Sequence, residues 1–239
     1  MSLCIALHAY NLKTHQKQIV LCSDAQVGDD FSTSEATQKF DLDLGPGVVS
    51  LFSGTLDHAE DALAIYRDRL SKNPLTLAGY KEELYAGYAE FKDGLRRRGI
   101  KRTDVELIVA GFIQSEPRII YISSRGVATV QSFVAIGSGS LLADAILRWR
   151  KPVQFLATND ALYYAYEAKK MGESSPHVGK NITSLNIIEE VDGGGFRSMS
   201  ILGTGMQYLQ KQFEKFGPQD YRGDRDSFPW GSLFTHRAC

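Results

Sequence analysis

Residues 39–54, KFDLDLGPGVVSLFSG, contain two short apolar stretches separated by a turn signal. In KFDLDL the residues alternate, which places Phe40, Leu42 and Leu44 on one face of a strand and the charged residues on the other. The Gly-Pro-Gly turn at 45–47 leads directly into the apolar run VVSLFSG. This stretch therefore predicts a β-hairpin, and strands joined by so short a turn are antiparallel.

The same two kinds of pattern continue on both sides of this hairpin. Runs rich in apolar and β-branched residues predict strands at 3–9, 18–24, 39–44, 48–54, 105–113, 118–123, 127–137, 182–190 and 196–202. Apolar residues spaced three and four apart predict helices at 56–71, 76–98, about 140–150, 158–171 and 204–216. Thr158-Asn159-Asp160 predicts an N-cap for the fourth helix.

The order of these elements decides the fold class. Strands are followed by two helices, then strands, two helices, strands and one helix, and hairpins replace the crossovers of a parallel α/β fold. Two stacked antiparallel sheets with helices on both outer faces would bury every apolar stripe. We therefore predict an α+β fold, a four-layer αββα sandwich formed by one domain at residues 1–217, with a C-terminal extension at 218–239.

Composition limits the possible functions. The 239 residues are 43% hydrophobic, and 27 basic against 28 acidic residues give a net charge of -1. This balance favours neither nucleic acid nor a membrane as partner, and no apolar run is long enough to span a bilayer. Three unpaired cysteines predict a reducing, cytoplasmic location. No motif indicates a cofactor, and no group of residues has metal-ligand spacing.

Five residues at the ends of predicted strands could carry chemistry. Each also has an ordinary structural interpretation, such as a turn cap for an aspartate or a tight strand-to-helix connection for a glycine. Together, and in this order along the chain, they indicate a site that no one of them indicates alone. The candidate catalytic residues are Ser2, Asp24, Lys39, Gly54 and Ser138.

The stretches around these residues resemble the β-type subunits of the proteasome and bacterial proteasome-like peptidases, which are N-terminal nucleophile hydrolases. The resemblance covers residues 2 to about 150, and it rests on SLCIAL, VLCSDAQ, TQKFDLD, LFSGTLDHAEDAL and FVAIGSGSLLADAIL. It implies the same αββα sandwich that the periodicity predicts. It also implies roles for the five candidates: Ser2 stands where the family has its threonine nucleophile, Asp24 and Lys39 are the acidic and basic residues beside it, Gly54 supplies the oxyanion N–H, and Ser138 lies near the terminal amine.

The implied mechanism uses the chain terminus itself. Removal of Met1 would expose the α-amine of Ser2, whose reference pKa of about 7.7–8.0 suits a general base for its own hydroxyl. The charge of Lys39 would lower the pKa of the amine and of the hydroxyl, and Asp24 would hold that lysine. The N–H of Gly54 would stabilise the oxyanion of the tetrahedral intermediate.

This sequence departs from the family pattern in the loop ESSPHVG at 173–179. The family has an aspartate and a serine close to the amine there, whereas this chain has Ser175 and Val178. That part of the site is missing or rebuilt, with Glu173 and His177 as the candidate replacements. The family also usually has threonine at the tip, and only Met1 precedes the serine here, so activation would need an aminopeptidase rather than self-cleavage.

Three functions are compatible with these observations. The first is a peptidase that cleaves peptides or unfolded proteins, the second is a non-catalytic ring or scaffold subunit, and the third is a small-amide hydrolase on the same fold. The joint presence of Asp24, Lys39 and Gly54 favours an enzyme, since a scaffold needs no such set. The resemblance implies a homo-oligomeric ring or stacked assembly, and it leaves open whether an ATPase partner exists.

Overall fold

The computed structural model of the chain describes residues 2–24, 27–28, 33–34, 39–45, 47–72, 76–123, 125–130, 132–150, 156–191, 195–217 and 234–237. Several predicted features lie outside these residues: Met1, Pro46, Asn73 and Pro74, Gly193 and Gly194, Cys239, and all of the 218–239 extension except 234–237.

Five helices and fourteen strands make up the described chain. The helices are α1 (Leu56–Leu70), α2 (Leu77–Arg97), α3 (Ser140–Arg150), α4 (Thr158–Gly172) and α5 (Thr204–Phe216). The strands are β1 (Leu3–Asn11), β2 (Gln16–Asp24), β3 (Val27–Gly28), β4 (Thr33–Ser34), β5 (Phe40–Gly45), β6 (Val48–Ser53), β7 (Glu106–Ile113), β8 (Glu116–Ser123), β9 (Gly126–Val130), β10 (Phe133–Gly137), β11 (Leu156–Ala157), β12 (Thr183–Val191), β13 (Gly195–Ile201) and β14 (Phe234–Arg237).

Two large sheets organise the molecule. The first has the strand order β10-β1-β2-β12-β13-β14, and the short β11 pairs with β1 in parallel. The second has the order β5-β6-β7-β8-β9, and all of its neighbouring strands are antiparallel. The separate pair β3–β4 forms a small two-stranded sheet. Hairpins therefore build both large sheets, as the sequence predicts.

Strand β1 shows how the layers are arranged, because it is buried on both faces. Leu3 and Ile5 pack in a cluster with residues of α3, α4 and α5. The alternate residues Cys4 and Ala6 pack in a second cluster between the two sheets, which includes Leu51 of β6. A third cluster joins the second sheet to α1 and α2. The three clusters define four layers, and the predicted αββα sandwich is confirmed.

The predicted strand 127–137 is wrong as a single element. The chain forms β9 in the second sheet and β10 in the first, so it crosses between sheets within this stretch. The carbonyl of Ser132, in the connection, accepts a hydrogen bond from the backbone N–H of His8 at 3.0 Å. Apolar and β-branched residues continue on both sides of the crossing, so the periodicity alone does not mark it.

The alternation predicted for 39–44 also fails at one point. The register of β5 against β6 shifts between Asp41 and Gly45, as at a β-bulge. Phe40 consequently packs between the sheets, whereas Leu44 packs against α1 on the opposite side. An extra residue in one strand moves the following side chains to the other face.

The start of α4 differs from the prediction in its cap. Ala157 occupies the N-cap position, and no side chain caps the helix. Thr158 is the first helical residue, and its hydroxyl instead donates to Gln18 Oε1 at 2.6 Å. None of the helices in the described residues is long and apolar enough to span a membrane.

Candidate active site

The backbone of Ser2 lies directly under the turn that follows β10. Ser2 is 2% exposed, and its carbonyl oxygen accepts a hydrogen bond from the Ser138 hydroxyl at 3.4 Å. Gly137 lies opposite Leu3 in the antiparallel pairing of β1 with β10. Its φ is +94°, and a Cβ at this position would overlap the Ser2 carbonyl oxygen. Only glycine allows this close approach, so the contact with Ser2 requires a glycine at position 137.

Asp24 and Lys39 form a buried ion pair beside the same segment. The Lys39 Nζ donates to Asp24 Oδ1 at 2.7 Å, and the two side chains are 2% and 0% exposed. Asp24 Oδ1 also accepts from the backbone N–H of Leu3 at 2.9 Å, and Oδ2 accepts from that of Gly179 at 2.7 Å. Three donors thus satisfy a carboxylate that would be costly to bury unpaired. The pair is therefore hydrogen-bonded to the backbone of Leu3, the residue that follows Ser2.

Gly54 connects β6 to α1 in a backbone conformation that favours glycine. Its φ is +106°, and a Cβ there would lie 2.6 Å from the carbonyl oxygen of Asp104. The preceding residue, Ser53, has its Cβ 3.2 Å from the position that a Cβ of Gly137 would take. The end of β6 therefore approaches the turn that covers Ser2. That the Gly54 N–H binds an oxyanion stays a prediction.

The loop 173–179 contacts the turn over Ser2 through Ser175. The Ser175 hydroxyl donates to the Ser138 carbonyl at 2.8 Å, so it supports the turn over Ser2. Val178 is buried in the cluster that contains Leu3. Glu173 accepts hydrogen bonds from Lys169 and Lys170. His177 is exposed on the loop.

The thiol of Cys4 lies close to these groups, and its chemistry does not compete with that of a hydroxyl nucleophile. Burial raises its pKa far above the usual value, so the thiol stays protonated. Its Sγ donates to the Phe52 carbonyl at 3.2 Å and ties β1 to β6. Burial likewise raises the pKa of Cys22 to about 12. Among the described residues, no three His, Cys, Asp or Glu side chains are grouped to hold a metal ion.

Several contacts at the site were not predicted from the sequence. One is the hydrogen bond from the backbone N–H of Gly179 to Asp24. No sequence pattern signals it, because almost every residue type has a backbone N–H. Glu106 and Tyr121 bond to each other, and the Glu106 carboxylate also accepts from the backbone N–H of Gly137. A signal existed for Glu106, because it shares a strand face with Ile108, which packs between the sheets. A carboxylate on such a face needs partners.

Comparisons with known proteins agree with this architecture. No protein-family model matches the chain, and no curated protein matches it by sequence. Among solved structures, the Anbu (Gly-1) mutant from Hyphomicrobium sp. strain MC1 is similar with a TM-score of 0.69 at 14% identity, over 90% of this chain and 94% of that chain. Eukaryotic HslV from Trypanosoma brucei is similar with a TM-score of 0.58 at 19% identity, over 79% of this chain and 99% of that chain. The chain therefore shares the αββα sandwich fold of Anbu and HslV, in agreement with the fold that its sequence predicts.

Proposed function

We propose that this chain is an N-terminal nucleophile peptidase in which Ser2, freed by removal of Met1, attacks the carbonyl carbon of a peptide bond. The observation that carries the proposal is the convergence of buried polar groups on one short backbone segment. Ser138 bonds to the Ser2 carbonyl, and the Asp24–Lys39 pair bonds to the N–H of Leu3. Buried charge is costly to keep, and here it is held at the segment that would carry the nucleophile.

The proposed reaction has two steps. The freed α-amine takes the proton of the Ser2 hydroxyl as its oxygen bonds to the substrate carbonyl carbon, which forms a tetrahedral oxyanion facing the Gly54 N–H. The oxyanion collapses, the amine of the leaving peptide takes the proton and departs, and an ester to Ser2 remains. Water then attacks this ester with the α-amine again as base. The acid product leaves and the hydroxyl is restored.

Lys39 has an electrostatic role in this proposal. Its ammonium group is 2% exposed and is held by Asp24, so its charge is fixed rather than solvated. A fixed positive charge close to the chain terminus favours the neutral amine and the ionised hydroxyl, which are the two forms that the attack requires. Loss of that charge would lower the rate even with Ser2 intact.

We also propose that copies of the chain assemble into a homo-oligomeric ring in a reducing compartment. Helix α3 supports the assembly, because it leaves Leu141 80% exposed and Trp149 51% exposed. Exposed apolar side chains on one helix are typical of a contact surface. The buried free thiols Cys4 and Cys22 support the compartment. Light scattering of the purified protein tests the ring: a multiple of the chain mass is expected, and a monomer at micromolar concentration would contradict it.

Hydrolysis by matched serine variants tests the peptidase. Short fluorogenic peptides and a denatured protein serve as substrates for the wild type, Ser2→Ala and Ser71→Ala. Ser71 is exposed at the opposite end of α1 from Gly54, so its loss leaves the rate unchanged. Ser2→Ala is expected to lower kcat by more than about 1,000-fold, as loss of a nucleophile does.

Other outcomes would overturn the proposal in different ways. A Ser2→Ala variant with the wild-type rate would remove Ser2 from the mechanism. A wild type that cleaves small amides but no peptide would leave a small-amide hydrolase. An assembled protein that lacks Met1 and hydrolyses nothing would leave the scaffold subunit.

A further inference from the structure

The Glu106 side chain links the second sheet to the turn that covers Ser2. Glu106 begins β7 in the second sheet, whereas Gly137 ends β10 in the first. Glu106 Oε2 accepts a hydrogen bond from the backbone N–H of Gly137 at 3.0 Å. Oε1 accepts one from the hydroxyl of Tyr121 on β8. Both carboxylate oxygens are therefore engaged, and one of them is on the turn.

The turn itself is held from three directions. Its first residue, Gly137, donates its N–H to Glu106. The next residue, Ser138, donates its hydroxyl to the Ser2 carbonyl and accepts at its own carbonyl from the Ser175 hydroxyl. Two of these contacts come from the first sheet and from the loop after α4. Glu106 supplies the contact from the opposite sheet.

We propose that Glu106 is a positioning residue for the reaction of Ser2, which it serves by anchoring the Gly137–Ser138 turn against the Ser2 carbonyl. This inference rests on the proposed peptidase function. Glu106 acts through the turn and does not take part in bond formation. Without it, the Gly137 N–H loses its acceptor, and the turn keeps only the contacts of Ser138 with Ser2 and Ser175.

A carboxylate suits this task better than a neutral acceptor. A hydrogen bond from an amide N–H to an ionised oxygen is stronger and shorter than one to a neutral oxygen. Burial and the bond to Glu106 together raise the pKa of Tyr121 far above its usual value. The Tyr121 hydroxyl therefore keeps its proton and donates it in a hydrogen bond that holds the Glu106 carboxylate in place.

Four variants test the proposal, with Glu116→Ala as the matched control. Glu116 lies at the far end of the β7–β8 hairpin, where it pairs with Lys17. Glu106→Ala is expected to lower kcat about 100-fold with KM unchanged, as displacement of a reacting group does. Glu106→Gln keeps an acceptor oxygen for Gly137 and restores most of the rate. Tyr121→Phe removes one neutral donor and lowers kcat by about fivefold.

Amide hydrogen exchange supplies a readout that does not depend on activity. The Gly137 amide is expected to exchange faster in Glu106→Ala than in the wild type, while the amides in the middle of β1 keep their protection. Tyr121→Phe carries the test if Glu106→Ala does not fold. Labelling of Ser2 by an electrophile for N-terminal hydroxyls is expected to slow in the order of the kcat losses.

The possible outcomes distinguish a failure of this inference from a failure of the proposed peptidase function. A wild type that takes up no label would overturn the peptidase, and Gly137 exchange would still decide whether Glu106 anchors the turn. Unchanged Gly137 exchange in Glu106→Ala would overturn the anchoring. Faster exchange with unchanged labelling and kcat would overturn the positioning role, because the turn would then be mobile without effect on Ser2. An equal kcat loss in Glu106→Gln and Glu106→Ala would also contradict it.

Discussion

Strand β2 has a buried polar side chain near each of its ends, and the two are used differently. Gln18, near the start, is 1% exposed, and Asp24, at the end, is 0% exposed. Gln18 Nε2 donates to Glu189 at 2.5 Å, and Gln18 Oε1 accepts from the Thr158 hydroxyl at 2.6 Å. Arg197 completes this network by donating to Glu189. All of these contacts join one side chain to another.

At the Asp24 end, most of the hydrogen-bond donors are backbone groups rather than side chains. Two of the three donors to Asp24 are backbone N–H groups, from Leu3 and Gly179, and the third is Lys39. The Gln18 network fastens β2, β12, β13 and α4 together, whereas the Asp24 pair fixes the backbone beside Ser2. Burial alone does not distinguish the two ends, because both side chains are almost fully buried. The difference lies in the segment that each polar group holds.

Asp24→Ala is expected to have the largest effect on stability. It leaves the Lys39 ammonium buried without its partner and two N–H groups without an acceptor. Breaking a buried pair in this way costs about 3–5 kcal/mol in the free energy of unfolding. Urea denaturation measures the loss. Lys39→Ala is the control, and its loss should be smaller because Asp24 keeps the N–H groups of Leu3 and Gly179. Equal losses in the two variants would mean that the backbone donors contribute nothing.

Gly137→Ala should affect both stability and activity. The positive φ alone costs about 1–3 kcal/mol for a residue with a Cβ, and overlap with the Ser2 carbonyl adds to this cost. Gly126→Ala is the matched control, because Gly126 also has a positive φ, +130°, but no neighbouring atom lies within 4 Å of its Cβ position. Thermal unfolding and peptide hydrolysis compare the two. A Gly126→Ala variant that loses as much activity would contradict the role of the turn.

Glu189→Ala should show the smallest effect of the three and should leave hydrolysis unchanged. The substitution removes the acceptor to which Gln18 and Arg197 donate. The loss at Arg197 is partly offset by water, because that side chain is 44% exposed. The expected loss is about 1–3 kcal/mol in the free energy of unfolding. A folded Glu189→Ala protein without activity would break the distinction between the two ends of β2.

The sequence predicted the layers well because periodicity reports burial directly. The pattern of 56–71 predicted a helix with its apolar face inward, and Ala59, Leu63 and Tyr66 are buried on α1. Periodicity does not report register or sheet exchange. The bulge in β5 and the crossing between β9 and β10 depend on how strands meet their partners, and the residues on both sides look alike.

Only part of the candidate site could be predicted from the sequence, namely the residues whose order along the chain indicates a site. Asp24 and Lys39 were predicted because their order along the chain resembles that in a known family, and the structure places Lys39 Nζ 2.7 Å from Asp24 Oδ1. The contact of Glu106 with Gly137 was missed because it joins two sheets whose alignment the sequence does not contain. A cap from residues 158–160 was expected at the start of α4, but the Thr158 hydroxyl bonds to Gln18 instead.

The proposed mechanism depends most directly on the state of the Ser2 α-amine and hydroxyl. Intact mass and N-terminal sequencing of the purified protein, with and without an electrophile specific for N-terminal hydroxyl nucleophiles, measure both together. We expect a chain without Met1 that carries one label at Ser2, and no label on Ser2→Ala. A mature, active protein that retains Met1, or a label that persists in Ser2→Ala, would contradict the account.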